Sequence, residues 1–129
     1  MRLQNNLYSV NAIHQSEEGL SCTIHLMEDS PVYKAHFPTQ PVTPGACIVQ
    51  IAVEIYEGFK GLSGQEFKGI DIVKVKNAKF LKAMIPGGGR LFRYSIREEP
   101  ADDALTHLQV VVTSDDVIYA KLSLICKDI

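Results

Sequence analysis

Four prolines in fourteen residues, Pro31, Pro38, Pro41 and Pro44, govern what this chain can become. They forbid a helix or a central strand between Glu28 and Pro44 and force an irregular loop there. Inside that loop stands one histidine, in His36-Phe37-Pro38-Thr39-Gln40-Pro41-Val42-Thr43-Pro44-Gly45. The chain then changes character, to Ala46-Cys47-Ile48-Val49-Gln50-Ile51-Ala52-Val53-Glu54-Ile55-Tyr56. Ile48, Val49, Ile51, Val53 and Ile55 would suit a strand, but length and punctuation favour a helix over residues 44–59. Thr43 is a suitable N-cap, Pro44 fits the first helical position, and Gly58 and Gly61 are suited to ending it. Gln50, Glu54 and Glu57 fall at i, i+4 and i+7, one narrow polar stripe on a helix otherwise apolar from Ala46 to Tyr56. Such a helix must be surrounded by protein.

The surroundings read as strands. Residues 7–15 and 20–28 form a pair about the turn Ser16-Glu17-Glu18-Gly19; Leu20, Cys22, Ile24 and Leu26 alternate with Ser21, Thr23 and His25. After the helix, residues 68–85, bent near Asn77-Ala78, and then 91–98, 105–113 and 117–126 read as four strands of an antiparallel meander. Pro86-Gly87-Gly88-Gly89 is read as a turn rather than a phosphate loop, because no helix follows it. The predicted fold is α+β: one curved antiparallel sheet wrapped around a central apolar helix, a single domain over 1–129.

Composition narrows the function. With 46% hydrophobic residues, 22% charged residues and net charge −2, a 129-residue chain has an ordinary globular make-up and no strong pull toward nucleic acid or a membrane. No apolar run approaches the roughly 20 residues of a membrane span, and the N-terminus lacks a signal-peptide core. Three scattered cysteines argue against a disulfide framework and for the cytoplasm. Cys47 reads as a small core residue rather than an activated thiol, and His14, His25 and His107 as ordinary strand residues. No metal-ligand spacing is present, and neither a metal nor a cofactor is expected.

The histidine–proline loop, His36-Phe37-Pro38-x-x-Pro41-x-x-Pro44-Gly45 ahead of an apolar helix, resembles the hot-dog-fold 3-hydroxyacyl-[acyl-carrier-protein] dehydratases of fatty acid synthesis. Asn77-Ala78-Lys79-Phe80 with Ile85-Pro86-Gly87 is similar to a second segment of that family, and the likeness runs over roughly residues 20–126. It implies a hot-dog fold, His36 as catalytic base and the Gly45 N–H as donor to the thioester carbonyl. Phe37 and Pro44 fall beside them in the substrate-binding loop. The family's acidic partner stands fourteen residues after the histidine, and here that position is Gln50. Because the family builds each site from two subunits, a homodimer or a higher, even heteromeric, oligomer is implied. The acyl carrier protein is the implied partner.

Dehydration removes an α-proton and expels the β-hydroxyl. Histidine suits the first task, and a helix N-terminal amide suits the enolate-like charge. A glutamine can hold the hydroxyl but cannot protonate it, and losing a positioned acid slows such a step roughly 10²–10⁴-fold. Three outcomes stand open: His36 makes both proton transfers; Glu54, about 6 Å along the same stripe, substitutes as acid; or the protein binds acyl thioesters without this chemistry. An acyl-thioesterase, with Gln50 or Glu54 positioning water, and a non-catalytic subunit of a heteromeric dehydratase are the alternatives. Lys68, Lys74, Lys76, Lys79, Lys82, Arg90, Arg93 and Arg97 face only Asp71 across residues 68–97. That run suits either an acidic carrier or a solvated strand face.

Overall fold

The computed structural model describes residues 2–35, 39–62 and 66–129. A six-stranded antiparallel sheet, in the order β1-β2-β4-β5-β6-β3, curves around one long helix. The strands are β1 (Tyr8–Ser16), β2 (Gly19–Leu26), β3 (Ile70–Phe80), β4 (Leu91–Pro100), β5 (Thr106–Ser114) and β6 (Val117–Asp128). The helices are α1 (Pro31–Ala35) and α2 (Gly45–Gly61). This is the α+β arrangement the sequence predicts.

The core lies between α2 and the inward rows of the strands. Ile48, Ile51, Ala52, Val53, Ile55 and Tyr56 of α2 are buried. They meet Cys22, Ile24, Phe92, Tyr94, Leu108, Val110, Val112, Leu122 and Leu124 from the sheet. Each fully buried aliphatic or aromatic side chain contributes about 1.5–3 kcal/mol. Tyr94 also ties the layers together, its hydroxyl donating to the Ile48 carbonyl at 3.1 Å. Burial holds that phenol well above the usual tyrosine range.

Several expectations need correcting. The second half is not a four-strand meander. Only β4, β5 and β6 pair in sequence, while β3 crosses to the far edge and pairs with β6, and β4 pairs with β2. Alternation reveals which face of a strand is buried but not which strand lies beside it. Pro86-Gly87-Gly88-Gly89 therefore belongs to a connection between non-neighbouring strands, with positive φ at all three glycines. β3 has a register shift beside the expected bend, between Val75 and Asn77, and a second one, not expected, between Ile72 and Lys74.

The proline-rich stretch does hold a helix, the short α1, because Pro31 sits at its first position, where a missing N–H costs nothing. Gly58 lies within α2 rather than ending it. Thr43 does not cap α2 through its side chain. Pro44 occupies the cap position, its carbonyl accepting from the Cys47 and Ile48 N–H groups at 2.9 and 3.1 Å.

Candidate active site

The catalytic histidine expected from sequence, His36, and Phe37 beside it lie outside the described residues. What the structure gives is the frame on either side of them. Before them, α1 presents Tyr33, which is 2% exposed; after them comes Thr43, 3% exposed. The two hydroxyls are 2.8 Å apart, and Thr43 Oγ1 donates to the Met84 carbonyl at 2.9 Å. A hydroxyl has one proton, so Tyr33 must be the donor to Thr43. The Thr43 N–H also donates to Met84 O, at 2.9 Å. Both feet of the loop are thereby fastened to each other and to the connection that follows β3. Burial pushes the Tyr33 phenol up to about 12, which keeps it a donor.

Gly45 opens α2 beside this frame. The first N–H groups of a helix have no intrahelical acceptor, and those of Gly45 and Ala46 bond to no described residue. A Cβ at Gly45 would stand 2.9 Å from the tip of the Phe80 ring. Phe80 thus lies directly against the helix start, joining the two sequence segments that carried the family resemblance. Val42, Thr43, Gly45, Phe80, Leu81 and Lys82 line an open groove of about 370 Å³ at this end of α2.

Further along α2, Gln50 and Glu54 are brought together, Gln50 Nε2 donating to Glu54 Oε2 at 3.0 Å. Glu54 is 2% exposed. Its carboxylate also accepts from the Leu3 N–H (2.8 Å to Oε2, 3.1 Å to Oε1), the Gln4 N–H (2.9 Å) and the Tyr8 hydroxyl (3.2 Å). Charge-assisted bonds from four donors fill it. Next on the stripe, Glu57 accepts from the Ile70 N–H at 3.0 Å and lies 3.9 Å from Arg2. The polar stripe is therefore not a wetted edge. It fastens the N-terminal residues and the start of β3 onto the helix.

Sequence reading missed these uses because most of the donors are backbone N–H groups, Leu3 and Gln4 about fifty residues from Glu54 and Ile70 thirteen from Glu57, which leave no mark in composition. A lone tyrosine in a proline-rich polar stretch was the available sign of the Tyr33 anchor. Cys47 packs against the core, and burial raises its thiol rather than activating it. Among the described residues no group of His, Cys, Asp and Glu is placed to hold a metal ion, and no helix is long and apolar enough to cross a membrane.

Comparison with known proteins finds likenesses in sequence and in fold. The family model described as ApeI-like, ApeI dehydratase, matches residues 12–117. An uncharacterized thioester dehydrase of Halalkalibacterium halodurans is 32% identical over 73 residues, covering 55% of this chain and 47% of that protein. The 3-hydroxyacyl-[acyl-carrier-protein] dehydratase FabZ of Solibacter usitatus is 26% identical over 101 residues, covering 77% of this chain and 61% of its own. The matches thus span about half to three-fifths of the length of these curated relatives. Among solved structures, the dehydratase heterocomplex ApeI:P from Xenorhabdus doucetiae superposes with TM-score 0.67 at 17% identity, over 92% of this chain and 97% of that one. An uncharacterized protein from Erwinia carotovora subsp. atroseptica gives 0.66 at 14%, over 94% of each. Both carry the same hot-dog fold.

Proposed function

The chain belongs to the ApeI-like dehydratase family, and from that premise we propose that it acts on 3-hydroxyacyl chains carried as thioesters, removing water to give the trans-2-enoyl thioester. The observation that carries the reading is the helix start. The Gly45 N–H is free of described acceptors, lies beside a groove, and is flanked by a loop whose two feet are fastened through Tyr33 and Thr43. A thioester carbonyl set against that amide gains from the hydrogen bond and from the helix dipole as enolate charge develops.

In this proposal His36 takes the α-proton and returns it to the β-oxygen as the C–O bond breaks, so that water leaves and no second acid is consumed. Gln50 holds the β-hydroxyl. Glu54 takes no part in proton transfer, because its carboxylate is committed to Leu3, Gln4, Tyr8 and Gln50. Phe37 and Pro44 contact the acyl chain.

An acyl carrier protein is the proposed donor of substrate, with Lys82 on the groove rim facing its acidic surface. A cytoplasmic location is part of the same proposal, in keeping with three free cysteines. Fatty acid or related lipid or polyketide synthesis is the setting such a carrier implies.

A second reading has its own support. β3 ends the sheet, and its Val73 and Val75 are 52% and 49% exposed. An unpaired apolar edge of this kind suits pairing with another chain, a second copy or a different hot-dog subunit. With Gln50 where an acid is expected, a heteromer in which the partner supplies the acid follows naturally.

The deciding experiment gives wild type, His36→Ala and Gln50→Glu one 3-hydroxyacyl pantetheine thioester and follows enoyl absorbance and free thiol. Wild-type enoyl formation that His36→Ala abolishes supports the dehydratase. Turnover only after Gln50→Glu moves the chain to the heteromeric reading, and release of thiol without enoyl product makes it a thioesterase.

A further inference from the structure

A glutamine side chain has two ends of opposite character, an NH₂ that only donates and an oxygen that only accepts. Glu54 decides which end of Gln50 faces where. Its Oε2 lies 3.0 Å from Gln50 Nε2, and turning the amide over would set two oxygens against each other there. Exchanging a hydrogen bond to a carboxylate for that repulsion biases the orientation tenfold or more, by about the strength of a charged hydrogen bond. Nor can Glu54 move aside to relieve it. The Leu3 and Gln4 N–H groups and the Tyr8 hydroxyl hold it, and it is buried. Gln50 Oε1 is therefore the end left over, and no described residue donates to it.

We propose that Glu54 is a positioning residue that locks Gln50 with its amide oxygen toward the ligand, so that the site selects an acyl chain bearing a hydroxyl at C3 and rejects one bearing a C3 carbonyl. The inference rests on the reading above, in which Gln50 touches the acyl chain. A 3-hydroxyl donates to Oε1. A 3-oxo group brings only lone pairs, and an unsubstituted chain brings neither attraction nor repulsion. Affinity should fall in that order of hydroxy, unsubstituted and oxo, with the oxo chain placed last by the uncompensated contact.

The test uses amide-linked pantetheine analogues, which cannot react, carrying 3-hydroxy, unsubstituted or 3-oxo chains of one length, with binding measured by calorimetry. Wild type should prefer the hydroxy over the oxo analogue by about tenfold or more. In Glu54→Gln the group facing Gln50 is an amide that no longer forces the Gln50 NH₂ toward it, so that preference should shrink to about twofold or less, or invert, while the unsubstituted analogue binds as before. A merely structural Glu54 would weaken all three together, and that result overturns the proposal. So does equal wild-type affinity for the hydroxy and oxo analogues. If no analogue binds wild type, the acyl-thioester reading falls and this inference with it; binding without discrimination sinks the inference alone.

Should Glu54→Gln fail to fold, nuclear magnetic resonance of the wild type decides. The Gln50 NH₂ signals, assigned by their loss in Gln50→Leu, should show one proton shifted downfield by Glu54, and the shift should persist when the 3-hydroxy analogue binds. Averaging of the two orientations overturns the proposal.

Discussion

Gly45 meets the tip of the Phe80 ring, so closely that an added methyl would stand 2.9 Å from it. The contact joins the start of α2 to the end of β3 and sets one wall of the groove beside the free helix amides. Gly45 has an ordinary backbone conformation, so its requirement is for space alone.

Gly45→Ala should destabilise the fold by about 1–2 kcal/mol through overpacking and lower turnover by more than that, since the displaced ring narrows the groove. Phe80 is 49% exposed and can give way. Adding Phe80→Ala should therefore recover most of the lost stability, with a coupling of about 0.5–3 kcal/mol in a urea double-mutant cycle. Strictly additive losses would show that the contact does not constrain position 45.

The Tyr33–Thr43–Met84 chain predicts an unequal pair. Tyr33→Phe removes one buried hydrogen bond and leaves Thr43 bonded to Met84, costing about 0.5–1.5 kcal/mol. Thr43→Val also strands the Tyr33 hydroxyl and should cost about 1–3 kcal/mol. The double variant should be no worse than Thr43→Val alone. Equilibrium urea unfolding reads all three.

Replacing Glu54 by leucine should free the N-terminal residues rather than unfold the sheet. Leu3, Gln4 and Tyr8 would lose their shared acceptor, an apparent loss of roughly 2–4 kcal/mol capped by local detachment. Hydrogen exchange at the Leu3 and Gln4 amides should accelerate to near the unstructured rate, while the β4 and β5 amides stay protected.

Gln50→Glu would set a second carboxyl against Glu54 where 3.0 Å now separates amide from carboxylate. Two carboxylates that close cannot both ionise readily, so one keeps its proton toward neutral pH. If His36 alone limits wild-type dehydration, the variant should gain about 10²-fold or more and acquire an alkaline limb in its pH–rate profile from loss of that proton. An unchanged rate would mean that this position does not reach the leaving hydroxyl.

Stability should fall on the alkaline side. Burial raises the Cys22 and Cys126 thiols from 9.0 to about 11 and the Tyr33 phenol from 10.0 to about 12. Each folded value lies above its unfolded one, so the contribution is whole below the unfolded value and is lost as pH rises through the folded value. The thiols act between about pH 9 and 11, Tyr33 between about 10 and 12. Each adds at most about 1.4 kcal/mol per pH unit to the slope. Cys22→Ala should flatten the pH 9–11 part, and Tyr33→Phe the part above it, in urea midpoints measured across that range.

Much of this was legible in the residues themselves. Proline spacing located the loop, the nearly unbroken apolar run from Ala46 to Tyr56 required an enclosed helix, and alternation in residues 20–26 and 91–97 gave strands with one buried face. These follow from local sterics and from the periodicity of side chains, which act on near neighbours in the chain. Tertiary structure decided the rest. Pairing β3 with β6 rather than β4, seating Phe80 on Gly45, tying Tyr33 to Thr43 and placing Leu3 and Gln4 over Glu54 all depend on which distant backbone groups arrive together. Glu54 reads in sequence as one polar step in a stripe. Only the folded chain supplies the donors that surround it and thereby fixes the amide of Gln50.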